Sequence, residues 1–499
     1  MTALHRLAER FGLLLAHHEI DGTRRAAPPE TLAACLAAMG VPAASEAEAA
    51  DTFARVQAED AARRLPLEDA LDADAPGAWF GPHDRAWRLE LETGAQLHGD
   101  PGAPLPGLPA GVHRLIAEDG EQTLLVAAPP RAPSPADLGA PRAWGVTAAL
   151  YGLVAPRSFG RGDYEDLAQA AEGIAGLGAD FLGINPIHDL GAAERGLSPY
   201  SPSSRTAFDP RHVAWDRTPE FAASPEAQQR LAQASERARQ AARSEFGDAD
   251  LRLDLGPPLL DALFAAHDGA PGLPPDRRAA FDAWLAQGGD ARRRHALFEA
   301  LSLVHGPDWR VWPTPLQDAD GAEARAFAAA HPAALRRHAF AQWLAENQIA
   351  EAQTRARAAG MTFGLYLDIA VGVRPGGAET WGDRDAFARG VSLGAPPDMM
   401  NAQGQNWALA PFSPEGLRRA AYAPFRAMLA AAMDRAGLVR IDHVLQLERA
   451  YWIPDGLPGA YVRPPAKILE ALVRLEAARR GVVVVGEDLG TVPEGFRDR

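Results

Sequence analysis

Arg440, Asp442 and His443 stand inside an otherwise apolar run, residues 438–444. Charged side chains are almost never fully buried without partners, and an unpaired buried charge costs several kcal/mol. With 438–444 extended, Arg440 and Asp442 project from one face of a strand. A guanidinium beside that carboxylate would keep it ionised and aimed. Taken alone, the stretch fits a buried ion pair at a strand end as well as it fits a reactive carboxylate. A second acidic pair, Glu487 and Asp488, ends the apolar run 481–486. Two carboxylates delivered to one cavity from neighbouring strands are what glycosidic-bond cleavage needs, one as nucleophile or base and the other as acid. Glu487 by itself also fits the first turn of a helix, where acidic residues are favoured. Asp368, Asn185 and His188 fall at the ends of other apolar runs. Tyr200 and Trp407 lie on loops bracketed by Pro or Gly. Flat aromatic faces suit the C–H faces of sugar rings, although a loop Trp serves equally as a lid over a core.

The elements that must position these groups are legible as a repeating pattern. Residues 144–151 and 180–186 read as strands, with a helix over 164–177 between them. Asp163 is the expected N-cap of that helix and Gly178 its C′ residue. Strand, helix and strand at this spacing make a βαβ unit and hence a parallel sheet. Three later apolar runs, 362–370, 438–444 and 481–488, read as strands buried on both faces. In a βα barrel the reacting groups sit at the C-terminal ends of the strands, where Asn185, Asp368, Asp442 and Glu487 fall. The predicted fold is α/β, a (β/α)8 TIM-type barrel over 136–499. A helical insertion at 215–360 is expected to pack around the barrel. Two accessory pieces precede it: a helical region, 1–70, and a small β-rich module, 71–135, closed by the proline-rich stretch 129–135.

Composition narrows the chemistry. The 499 residues carry a net charge of −15, which argues against nucleic acid and anionic membrane as partners. Cys35 is the only cysteine, so there is no disulfide framework and no cysteine metal site. No apolar run reaches the ~18 residues of a membrane helix, and the N-terminus reads as an amphipathic helix. A cytoplasmic protein is expected. Lys467 is the only lysine; no Gly-Lys-Ser/Thr phosphate loop exists, and Lys467 has no surroundings suited to a Schiff base. His188, His212 and His443 have no metal-ligand spacing, so no metal and no cofactor are expected.

Several stretches together resemble the amylomaltases, or 4-α-glucanotransferases, of the α-amylase clan. They include Asn185-Pro-Ile-His188, the run from Ser198 to Arg205, and Leu365-Tyr-Leu-Asp-Ile-Ala-Val-Gly-Val373 followed by Gly376-Gly-Ala-Glu-Thr-Trp381. Gly394-Ala-Pro-Pro-Asp398, Gly404-Gln-Asn-Trp407, Arg440-Ile-Asp-His443 and Gly486-Glu-Asp-Leu-Gly490 complete the set. The overall layout is similar to the longer bacterial form with an extra N-terminal region. The resemblance implies Asp442 as nucleophile and Glu487 as general acid/base. It implies that Arg440, Asp368 and His443 hold the reacting sugar and that Tyr200 and Trp407 touch rings in the cleft. Ser198, Asp398 and Asn185 fall in the same substrate-binding stretches. The implied reaction moves 4-α-glucan segments between maltodextrins, or to glucose, without a cofactor.

Three departures from the family pattern stand out. Ala408 takes the place of the usual glycine after Trp407. The loop 157–163 reads Arg-Ser-Phe-Gly-Arg-Gly-Asp where Asn-Trp-Gly-x-Gly-Asp is usual. The family's third catalytic carboxylate falls roughly fifty residues beyond the acid/base, past Arg499. Five barrel-type strands are readable where a closed barrel has eight, so the chain is expected to be a fragment of a longer protein and inactive alone. Two rival readings remain: an α-glucan hydrolase of the same clan, and a non-catalytic glucan-binding fragment.

Overall fold

A computed structural model describes residues 1–499 except 20–21, 76–83, 154, 156, 197, 244–248 and 399–400. The chain divides into two compact units. One comprises 135–384 with 431–440; the other comprises 1–134, 385–430 and 441–499.

The unit built on 135–384 is organised by parallel strands. Gly145–Ala148 (β1), Phe181–Ile184 (β2), Gly364–Ile369 (β3) and Leu438–Ile441 (β4) lie in the order β1-β2-β3-β4. β1 and β3 each pair with β2 in parallel. Tyr164–Ala175 (α1) is the crossover between β1 and β2. Asp163 caps it by accepting from the N–H groups of Glu165 and Asp166, and Asp166 returns the favour at the Asp163 N–H. The helix stops earlier than its sequence suggests: Gly176 is the C-cap, and Gly178 takes φ +86° in the turn that follows. Between β2 and β3 the chain is mainly helical. Gly289–His305 (α2) and the long Pro332–Ala358 (α3) are its main helices. Trp309, Trp312 and Trp381 pack with Leu297, Phe298 and Leu301 of α2, so the aromatic run at 309–312 is core.

In the other unit, helices Ala3–Arg10, Pro29–Ala38 and Glu46–Ala62 precede a five-stranded sheet spanning residues 68–128. Alternating residues, Trp87 and Leu89, Leu115 and Ala117, Leu125 and Ala127, fill one side of it. A four-stranded antiparallel sheet includes Val391–Ala395, Ala450–Pro454 and Ala460–Val462. The N-terminal helices tie to that sheet through Leu14 N–H to Tyr461 O and Arg463 N–H to Gly12 O. Gly12 has φ +80°, and a side chain there would run into the Arg463 carbonyl. Val483–Gly486 (β5) follows the helix Ala466–Arg480.

Three expectations need correction. β4 ends at Ile441 rather than 444. His443 adopts a left-handed backbone, φ +46°, and starts the short turn Val444–Leu447. Asp442 therefore lies past the strand, and the same-face argument that paired it with Arg440 does not apply. The apolar run 481–488 is also not buried on both faces: Val485 of β5 is 39 % exposed.

Candidate active site

In the first unit, Asp368 is the hub. It sits next to the end of β3 and is buried. Arg440 Nη1, from β4, donates to both of its oxygens at 2.7 Å. The Tyr200 hydroxyl donates to Oδ2 at 3.1 Å. The sequence placed Arg440 beside Asp442; the structure gives it an ion pair with Asp368, from the neighbouring strand. A guanidinium and a phenol on one buried carboxylate make a rigid polar cluster, with the Tyr200 ring left exposed at its edge.

The loop carrying Tyr200 is held from below. Arg205 and Glu379 form an ion pair with both side chains 2 % exposed. Glu379 accepts from Arg205 Nη2 at 2.8 Å and from its backbone N–H at 2.6 Å. Ser203 Oγ accepts the Ala378 N–H, and Ser203 O accepts that of Glu379. A Cβ on Gly377 would stand 2.6 Å from Ser203 O, so the backbones meet only because that residue is glycine. The Ser198–Arg205 and Gly376–Trp381 stretches, far apart in sequence, thus form one clamp. Sequence reasoning quoted both and missed the pair; an arginine in one and a glutamate in the other was the available signal.

Other expected residues make local anchoring bonds. Asn185 Oδ1 accepts the Leu150 N–H at 2.8 Å and its amide donates to Pro186 O, tying the loop after β1 to the end of β2. Ser198 Oγ accepts the Tyr200 N–H. His188 is buried, accepts the Ala370 N–H at Nε2, and burial pushes its pKa down to about 3. The departure at 157–163 is also structural. Arg157 donates to Asp163, Asp166 and Asp216, each at 2.8 Å, and Ser158 donates to Asp166.

In the second unit, Glu487 follows β5 and its backbone brackets Asp442. The Glu487 N–H donates to Ile441 O at 3.0 Å, and Glu487 O accepts the Val444 N–H at 2.8 Å. Its carboxylate is engaged on both oxygens: His443 N–H to Oε2 at 2.9 Å and Leu489 N–H to Oε1 at 2.7 Å. The Trp407 indole stands edge-on to the His443 ring, centroids 5.2 Å apart, and donates to Gln405 Oε1. Burial lowers the His443 pKa against the opposing charges of Glu487 and Asp442. Its imidazole is therefore neutral near pH 7. Left-handed backbone at a non-glycine residue costs about 1–2 kcal/mol. Here it turns the His443 N–H onto Glu487. Asp398 accepts the Asn401 N–H at 2.6 Å and shapes the loop before Trp407. Ala408 also sits at φ +55°, the conformation a glycine would adopt without strain.

The family profile described as 4-alpha-glucanotransferase matches residues 148–499. The chain is similar to the 4-alpha-glucanotransferase of Mycobacterium tuberculosis, 34 % identical over 534 aligned residues, covering 99 % of this chain and 73 % of that protein. It is similar to the 4-alpha-glucanotransferase of Haemophilus influenzae, 33 % identical over 518 aligned residues with the same coverage. The crystal structure of amylomaltase from Corynebacterium glutamicum superposes with a TM-score of 0.84 at 28 % identity, covering 99 % of this chain and 73 % of that one. The parallel strands β1 to β3 are accordingly part of the α-amylase-clan TIM barrel. A match that starts within β1 and runs past Glu487, with relatives aligned along nearly all of the sequence, shows that the chain belongs to the 4-alpha-glucanotransferase family.

Proposed function

We propose that this chain carries the catalytic pair of a retaining 4-α-glucanotransferase, with Asp442 as nucleophile and Glu487 as general acid/base. The observation that supports it most is the bond from the His443 N–H to Glu487 Oε2. It fastens one carboxylate to the residue next to the other. In the first step an Asp442 oxygen attacks the anomeric carbon of an α-1,4-glucan, the bond to the leaving oxygen breaks, and Glu487 gives that oxygen its proton. In the second step the 4-hydroxyl of another maltodextrin, or of glucose, loses its proton to Glu487 and displaces Asp442. Each Glu487 oxygen accepts one backbone N–H and keeps a second lone pair, so Glu487 can carry the proton with both bonds in place. No cofactor takes part.

Arg440, Asp368 and His443 are assigned to hydroxyls of the reacting sugar, and Tyr200 and Trp407 to ring faces. Ser198, Asn185 and Asp398 are assigned to substrate binding alongside them. A cytoplasmic setting goes with this reading; no helix among the described residues is long and apolar enough to cross a membrane.

Incubation with maltotriose tests the activity. Transfer yields both longer and shorter sugars, hydrolysis yields only shorter ones, and a binding protein leaves the substrate unchanged. Glu487→Gln tests the roles: maltodextrin turnover should vanish, while a donor with a good leaving group, needing little protonation, still glycosylates Asp442. Failure to trap an adduct at Asp442 with such a donor counts against the assignment.

A further inference from the structure

Asp189, His295 and Glu299 converge inside the first unit, with donor atoms all within 4.8 Å of one another. Asp189 belongs to a short hairpin, paired with the strand Ser204–Phe208, whose connection carries Tyr200. His295 and Glu299 sit one turn apart on α2. Each carboxylate is anchored through one oxygen: Gly191 N–H donates to Asp189 Oδ1 at 3.1 Å, and Ala192 N–H to Glu299 Oε2 at 2.5 Å. The other oxygens face the imidazole. His295 Nε2 lies 2.8 Å from Asp189 Oδ2 and 4.0 Å from Glu299 Oε1. Glu299 is 3 % exposed, and its Oε1 has no hydrogen-bond partner. An orphaned carboxylate oxygen at that depth costs free energy unless something satisfies it. All three residues line a cavity of about 170 Å³, room for several water molecules.

We propose that Asp189 Oδ2, His295 Nε2 and Glu299 Oε1 bind a divalent transition-metal cation, with water from the adjoining cavity completing its coordination. One imidazole and two carboxylates favour Zn²⁺ and its neighbours over Ca²⁺ or Mg²⁺, which take oxygen ligands. Metal–ligand bonds are about 2.0–2.2 Å, and drawing the three atoms onto one ion requires shifts of about 1 Å. The backbone N–H groups already orient both carboxylates, as supporting donors do in built metal sites. The ion would pin α2 to the hairpin that leads into the Tyr200 loop. It acts as a structural clamp, independent of the roles assigned to Asp442 and Glu487. The sequence carried no sign of it, because Asp189 is far in the chain from the His-x-x-x-Glu turn.

Chelator-treated protein titrated with Zn²⁺ in a calorimeter should bind one equivalent. Melting temperature should rise by a few degrees at ~100-fold excess over Kd. Glu299→Gln and Asp189→Asn should each weaken binding by more than the ~10–100-fold that loss of a supporting partner costs, and should abolish the melting shift. Co²⁺ should develop the intense visible bands of a four- or five-coordinate site, and these report on the wild-type protein even where a variant fails to fold. Wild-type protein with no Co²⁺ bands and no melting shift overturns the proposal and leaves a proton-sharing triad. Equal binding by folded variants and wild type also overturns it, the ion then being adventitious.

Discussion

Removing the charge of Glu379 tests whether the clamp beneath Tyr200 holds that loop. In Glu379→Gln the amide oxygen can still accept one N–H, but its NH2 group faces the Arg205 guanidinium, which stays 98 % covered. Breaking a buried ion pair from one side costs about 3–5 kcal/mol, chiefly because the remaining charge is uncompensated. One relief acts against this. Asp383 is pushed up to about 6 by burial and, next, by the charge of Glu379. Losing that charge lets Asp383 ionise more easily, which returns about 1.5 kcal/mol at most, since one pKa unit is worth 1.36 kcal/mol and burial is the larger cause. The net loss should be about 3 kcal/mol, read as a lower midpoint in urea followed by tryptophan fluorescence. Maltodextrin turnover should show a raised KM, because Tyr200 rides on the loosened loop. Replacing the whole pair, Arg205→Met with Glu379→Leu, should recover most of the stability, since buried pairs exchanged for apolar residues are often neutral. A cost under about 1 kcal/mol for the single variant, or a double variant no better than the single, would refute the reasoning.

Ala408→Gly should raise stability by about 0.5–1 kcal/mol: it relieves a left-handed backbone worth ~1–2 kcal/mol and loses part of that to the greater freedom of unfolded glycine; an unchanged urea midpoint would speak against strain at φ +55°. Trp407→Ala should weaken glucan binding by roughly 1–3 kcal/mol with little change in melting temperature; a large stability loss with unaltered binding would mark Trp407 as core. Acid should destabilise the protein in the window between pH 6.5 and about 4. Burial pushes His188 and His338 down to about 3 and His212 down to about 4 from an ordinary 6.5. The unfolded chain thus binds protons that the fold refuses, at a cost of about 2 kcal/mol per histidine at pH 5. In metal-free protein Glu299, raised to about 7, and Asp383, raised to about 6, act in the opposite sense. Their contribution is present below their ordinary values and fades as pH rises through 7 and 6. The histidines win by about 2 kcal/mol at pH 5, and His338→Phe should leave stability nearly flat between pH 7 and 5, measured by urea midpoints.

What the sequence reveals of this protein depends on range. The parallel strands were legible because each is a local apolar run: 144–151 holds β1, 180–186 holds β2 and 362–370 holds β3. The cap at Asp163 was equally local, a side chain bonding N–H groups two and three residues on. The family stretches were legible for another reason. Gly377 must be glycine because Ser203 O leaves no space for a Cβ, and such constraints write themselves into the residue string even when the partner is unknown. What could not be read is which charge meets which. Arg440 had two carboxylates to choose from, Asp442 two residues away and Asp368 on the neighbouring strand, and only the packing of β3 beside β4 favours the second. The end of β4 was hidden for a related reason. Nothing in Ile-Asp-His-Val opposes continued extension; the strand turns at His443 where its N–H finds Glu487, the residue that follows β5. The residues assigned to chemistry are therefore the ones whose local conformation is set by distant groups. That is the pattern expected where function, rather than local propensity, decides the backbone.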